Sequence, residues 1–198
     1  KARDYLRKSI GIKPDVPQRY LQLANVELLA NAGDRASAST AAIGVIREGL
    51  TAIPDKAKNF DLRWRLVDLL ISRSPQDEAE VKEVQELQAE MKKGKPDSAL
   101  VSYLEGRQLY KDEKWFEAQQ VLETTRSGLS QRPDLRMRAD AMLGRCHAQL
   151  GDNDLRLGAF RRVLDENQLD IGARRDYAEA LKWYRLAAEQ GNSFAQEK

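Results

Sequence analysis

Cysteine and histidine are nearly missing from this chain, whose 198 residues hold one of each. The single cysteine, Cys146, excludes an internal disulfide, and its place in a helical pattern reads as a small buried hydrophobe. That suits a reducing compartment, so a soluble protein of the cytoplasm is the expected setting. One histidine and one cysteine do not furnish the donors of a conventional zinc site. They do not make a nucleophile and its base either, because His147 follows Cys146 directly and neighbours on a helix point about 100° apart. No glycine-rich phosphate loop and no His-Glu-x-x-His arrangement appears. No catalytic residue, metal or cofactor is therefore expected.

Long apolar runs are lacking too. The longest, Leu66 to Ile71 and Ala41 to Ile46, are far too short to cross a bilayer, so membrane insertion is not expected. The chain opens on Lys1-Ala2-Arg3-Asp4 without a charged-then-apolar leader. This opening resembles the inside of a repeat, which makes a piece of a longer protein the expectation, with room for a leader upstream. An excess of one charge is also missing. Lysine and arginine number 33 against 31 acids, for a net charge of +2. Such a balance exerts no strong pull on nucleic acid or anionic membrane, and any charge-driven recognition has to be local. Six prolines and 12 glycines leave room for long helices, and 41% hydrophobic with 32% charged residues suits helices with one buried stripe each.

What the chain does have is an imperfectly recurring pattern. A helix carries a leucine-small pair, a polar turn follows, a second helix carries an alanine, and a proline often closes the unit. The pattern appears as Leu23-Ala24 with Ala42 and Pro54, as Glu105-Gly106 with Ala118 and Pro133, and as Leu143-Gly144 with Phe160. A lone helix pair of this kind cannot bury its apolar face, so neighbours must stack, and a period of about 34 residues marks a solenoid. The sequence is accordingly read as a single array over 1–198: a partial repeat over 1–14, repeats over 17–54, 55–96, 97–133 and 134–168, and C-terminal helices over 169–198.

Within that frame the spacing predicts particular helices. Leu6 and Ile10 share a stripe that stops before Pro14, and Tyr20, Leu23 and Ala24 carry the next, up to the turn Asn31-Ala32-Gly33-Asp34. Ser74-Pro75 reads as the capped start of a helix in which Val81, Val84, Leu87 and Met91 are buried and the run of glutamates from Glu78 to Glu90 faces solvent. Trp115, Tyr177 and Tyr184 fall on apolar stripes and read as core. The last stretch places Ala180, Leu181, Ala187 and Ala188 on the stripe with the two tyrosines.

Small residues at helix crossings, an alanine on the second helix, and a proline at the exit resemble the tetratricopeptide repeat family along nearly the whole chain. The repeats are degenerate: Glu105 replaces the usual leucine before Gly106, Val67 holds the small-residue position of the third unit, and Arg156 stands where the second-helix alanine belongs in the fifth. Asp176-Tyr177-Ala178-Glu179-Ala180-Leu181-Lys182-Trp183-Tyr184, followed by Ala187-Ala188-Glu189-Gln190-Gly191-Asn192, resembles the Sel1-like repeat of the same α/α class. The resemblance implies an all-α solenoid of stacked antiparallel helix pairs with a right-handed superhelical twist. It also implies a non-enzymatic scaffold for protein–protein interaction, taking a peptide or a partner's helix in a concave groove.

In that family the groove is lined by the first helix of each pair. The corresponding positions hold Asn25 and Leu21, Asp68 and Trp64, Arg107 and Tyr103, and Arg145 and Ala141. Arg175 and Glu179 join them if the last stretch is a first helix; under the Sel1-like reading it is a second helix and Glu179 leaves the set. The family's clamp for a C-terminal carboxylate needs a lysine where Leu21 stands, so that clamp is not expected. The candidates are thus Asn25, Trp64, Asp68, Tyr103, Arg107, Arg138 and Arg145, with Trp64 and Tyr103 as aromatic anchors and the three arginines favouring an acidic segment of a partner. Pairing of those arginines with Glu105, Asp112 and Asp140 is the competing account. An RNA-binding repeat protein, using the arginines with Tyr103, and a regulatory region of a larger protein stay open as alternatives, nucleic acid being the disfavoured partner. Uncapped solenoid ends would permit self-association.

Overall fold

In the computed structural model, residues 1–30 and 33–196 are described, together with the side chains up to Leu186 apart from Tyr184. The expectations for Asn31 and Ala32, and for the side chains of Tyr184, Ala187 and Ala188, lie outside the described residues. Among those described there is no strand; the elements are α-helices and one short 3-10 turn, Ser127–Leu129. The chain divides after Pro96 into two compact units.

The first unit holds α1 (Ala2–Ile12), α2 (Pro17–Ala30), α3 (Arg35–Ala52), α4 (Phe60–Arg73) and α5 (Glu78–Gly94). Each packs on the next in chain order, and α2 also touches α4. Contact between alternate helices is what a stack of helix pairs produces: α2 and α4 form one layer, and α1, α3 and α5 the other. The core runs between the layers through Tyr20, Leu23, Ile43, Ile46, Leu62, Leu66 and Leu70, all buried. Gly49 sits at a close approach, where a Cβ would lie 2.7 Å from the Tyr20 ring and 3.1 Å from Leu62.

Local chemistry sets the helix ends. Asp34 caps α3 by accepting from the backbone N–H groups of Ala36 and Ser37, each at 3.1 Å, so the helix begins at Arg35 and includes Ser37 to Thr40. The start expected at Ser74-Pro75 is corrected. α5 begins at Glu78, capped by Asp77, which accepts from the Glu80 N–H at 2.8 Å, while the Glu80 carboxylate accepts from Gln76 N–H. Pro75 belongs to the connection, next to Ser74 in the left-handed region at φ 70°. With this start, Val84 and Met91 are buried but Val81 is exposed, against expectation.

The glutamates of α5 are not simply a solvated face. Glu80 and Glu83 pair with Arg47 of α3, Glu80 also with Arg73, and Glu90 with Lys56 and Arg63. These pairs fasten α5 to the helices before it, where its apolar stripe is thin.

The second unit repeats the plan with α6 (Ala99–Lys111), α7 (Trp115–Arg126), α8 (Pro133–Leu150), α9 (Asn153–Glu166) and α10 (Ile171–Gln196). Packing again follows chain order, with α6 also against α8. Two glycines make the crossings close. A Cβ on Gly106 would meet Leu122 at 2.8 Å, and one on Gly144 would meet the Phe160 ring at 2.7 Å. The turn after α8 is closed by Gly151 at φ 81°, a left-handed C-cap that a β-carbon would strain. Both units are thus built as an α-solenoid builds its stack, helix pair upon helix pair.

Replacing Gly144 or Gly106 with leucine is expected to cost about 1–3 kcal/mol each, since the added side chain must displace a ring or a leucine already in contact. Thermal melts of the two single variants test this, and parent-like melting would remove these glycines from the crossings. Acid should weaken the first unit. Asp34 lies below its ordinary 3.8 chiefly through its hydrogen bond with Ser37. Burial pushes Glu80 up, but the Gln76 N–H, Arg73 and Arg47 outweigh it and leave it below 4.5. Depressed folded values mean stability fully present above the unfolded value and lost as pH falls through the folded one. Melting temperature should hold from pH 7 to about 5 and fall below about 4.5, with Glu80→Gln losing less over the acid limb than the parent.

Candidate functional site

In the second unit α6 and α8 gather cations on one side. Arg107 and Lys111 are one turn apart on α6, and Arg138 and Arg145 are two turns apart on α8, so each pair shares a face. Together with Tyr103, Tyr110, Ala141 and Met142 they line a pocket of about 210 Å³ with no acidic residue among its lining. Tyr103 is fully buried and forms a wall, not an anchor reaching outward. Burial raises its hydroxyl pKa, and the Arg138 guanidinium beside it partly offsets the rise.

Arg145 stands at one end of this pocket and opens a second. Burial pulls its pKa down, but a hydrogen bond with the Tyr110 hydroxyl and the charge of Asp176 outweigh that and hold it raised. Two of its nitrogens lie 3.3 Å from Asp176 Oδ2, an ion pair between α8 and α10. The second cavity, about 530 Å³, is lined by Tyr110, Trp115, Arg145, Arg156, Phe160, Asp176, Glu179 and Trp183 among others. Tyr110 and Trp115 meet edge to face, with ring centroids 5.4 Å apart. Trp115 is half-buried and belongs to this wall, not to the closed core that its stripe predicts.

Of the seven candidates, the structure brings together Tyr103, Arg107, Arg138 and Arg145. The other three lie in the first unit. Asn25 is exposed, while Trp64 and Asp68 are buried beneath the surface. Asn25 and Asp68 share a partner, Arg65, at 3.0 and 2.9 Å. The competing account of the arginines holds in part, with different acids. Arg145 pairs with Asp176, Asp112 accepts from Gln108 at 2.8 Å, and Asp140 turns toward α7 and α9. There Asp140, almost fully buried, binds Arg126 of α7 at 2.8 Å and Arg162 of α9 at 2.6 Å.

Lys111, Tyr110, Arg156, Asp176 and Trp183 escape the sequence reading. One signal was present: Arg156 occupies the packing position where an alanine belongs, and an arginine there has to find a use. The Cys146 thiol, buried between helices, is pushed up to about 11, so it is not a thiolate at neutral pH. Its neighbour His147 is buried with Nε2 3.7 Å from Glu123.

No family model and no curated protein matches the chain. Solved structures do. The thermophilic TPR protein TTC0263 of Thermus thermophilus superposes with a TM-score of 0.63 at 15% identity, over 90% of this chain and 88% of its own. An assembly chaperone of RpL4, Acl4, superposes with a TM-score of 0.56 at 16% identity, over 96% of this chain and 78% of its own. At such identities the likeness concerns the fold, which is a TPR-like helical repeat.

Asp140 holds α7 and α9 to the helix that carries Arg138 and Arg145. Asp140→Ala should cost about 2–4 kcal/mol, because it leaves two partly buried guanidinium groups without their shared carboxylate. Denaturant unfolding measures it, and a loss under about 0.5 kcal/mol, the level of an ordinary surface change, would contradict the brace.

Proposed function

We propose that this chain is a non-enzymatic interaction module whose second unit takes an acidic segment of a partner protein along the inner faces of α6, α8 and α10. The carrying observation is the small pocket where Arg107, Lys111, Arg138 and Arg145 converge on tyrosine walls with no acid in the lining. A string of carboxylates entering this pocket gains charge-assisted hydrogen bonds from its guanidinium and ammonium groups. The TPR-like fold supports this reading, since stacked helix pairs create extended binding surfaces. One structural neighbour is itself an assembly chaperone. Among the described residues no helix is long and apolar enough to cross a membrane.

Residues 176–196 are read as a Sel1-like segment that continues the stack. Asp176 and Glu179, the start of that resemblance, line the larger cavity beside the basic pocket.

A blocked dodecapeptide of alternating Glu and Gly, labelled for fluorescence anisotropy, is the probe. The parent should bind it with an affinity that falls steeply as salt rises from about 50 to about 300 mM. Arg107→Glu with Arg138→Glu should weaken binding by at least about tenfold, a modest loss for charge-assisted hydrogen bonds, while melting stays near the parent. Undiminished binding by the double variant would move the surface elsewhere. Equal binding of a polyuridine probe with a steep salt slope would favour RNA instead.

A further inference from the structure

Arg156 is the most unusual side chain in the second unit. It sits on α9 at a packing position, nine-tenths buried, and its Nε has no hydrogen-bond partner. Its nearest acid, Glu179 of α10, lies 3.5 Å away, beyond a good charge-assisted hydrogen bond, and is itself more than half exposed. With one buried nitrogen unpartnered and its ion pair at 3.5 Å, the Arg156 guanidinium has only part of its desolvation offset. Both residues line the larger cavity, whose walls include Tyr110, Trp115 and the half-exposed Trp183.

We infer that this cavity is a second recognition pocket for the same partner segment, and that it takes an acidic side chain followed closely by an aromatic one. The inference rests on the reading of the basic pocket given above. The ligand carboxylate binds Arg156 in a two-pronged pair and displaces Glu179, which swings into solvent at little cost because it is already exposed. The neighbouring aromatic ring then fills the space between Trp115 and Trp183. An acid fits better than a base here, since the unsatisfied buried atom is a donor. An aromatic residue fits better than an aliphatic one, since indole and phenol walls offer ring faces and edges to pack against. Arg145 and Tyr110 line both cavities, so one extended segment reaches from the basic pocket into this one.

The test compares the Glu-Gly dodecapeptide with one in which two glycines become phenylalanine, both with blocked ends so that no terminal carboxylate is present. The parent should prefer the phenylalanine peptide by about tenfold, the scale of one good aromatic pocket contact. Arg156→Gln should abolish that preference. Glu179→Gln should tighten binding of the phenylalanine peptide two- to fivefold, an opposite sign that mere structural damage does not produce. In a Trp64→Phe background the two remaining tryptophans both line this cavity, and their emission should shift on binding. If Arg156→Gln does not fold, Glu179→Gln alone decides. A preference that survives Arg156→Gln, or a Glu179→Gln variant no tighter than the parent, overturns the inference; the basic pocket still stands if Arg107→Glu with Arg138→Glu weakens both peptides. A parent that binds neither peptide overturns both.

Discussion

The missing side chain at Gly144 governs how the second unit comes together. α8 rests on the face of Phe160 because nothing projects from the backbone at that point, and the same logic sets Gly106 on Leu122 and Gly49 on Tyr20. Close crossings of this kind bring large side chains into contact with backbone, where packing density is high and each contact adds a small dispersion gain. They also fix the distance between layers. The positions of Arg138 and Arg145 relative to α6 and α10 follow from that distance, so the shape of the two cavities depends on glycines on the buried side.

Much of this is legible from residue order. The pairs Leu23-Ala24 and Leu143-Gly144 announce themselves through helical spacing, and their burial follows from the alternation of large and small residues along one stripe. Clustering of Arg107, Arg138 and Arg145 is legible as well, since parallel first helices repeat the same inner positions. Features that depend on one turn of rotation are not. Trp64 and Tyr103 sit close to core positions on their helices, and a modest rotation carries them from surface to interior. The onset of α5 escapes the sequence pattern because Asp77 and Glu80 together outcompete the Ser74-Pro75 signal, and their advantage lies in hydrogen-bond geometry.

Long-range pairs are the least legible. Glu80 and Glu83 look like solvent-facing charges until Arg47, more than thirty residues earlier in the chain, is folded against them. The larger cavity takes residues from α6, α7, α8, α9 and α10, and no local pattern announces that Tyr110, Arg156 and Trp183 will share one wall. Asp140 and Glu166 stand against Arg126, Arg162 and Arg136, while Arg107, Lys111, Arg138 and Arg145 line one pocket.

Tyr110 and Arg145 stand between the two cavities as a common partition. A group entering on one side that draws the Arg145 guanidinium toward itself changes the shape and charge met on the other. If both cavities take ligand as proposed, their occupancies are thermodynamically linked, and whatever factor the first imposes on the second is returned in equal measure. Two features arriving on one chain at the right separation would then register differently from the same two features arriving apart.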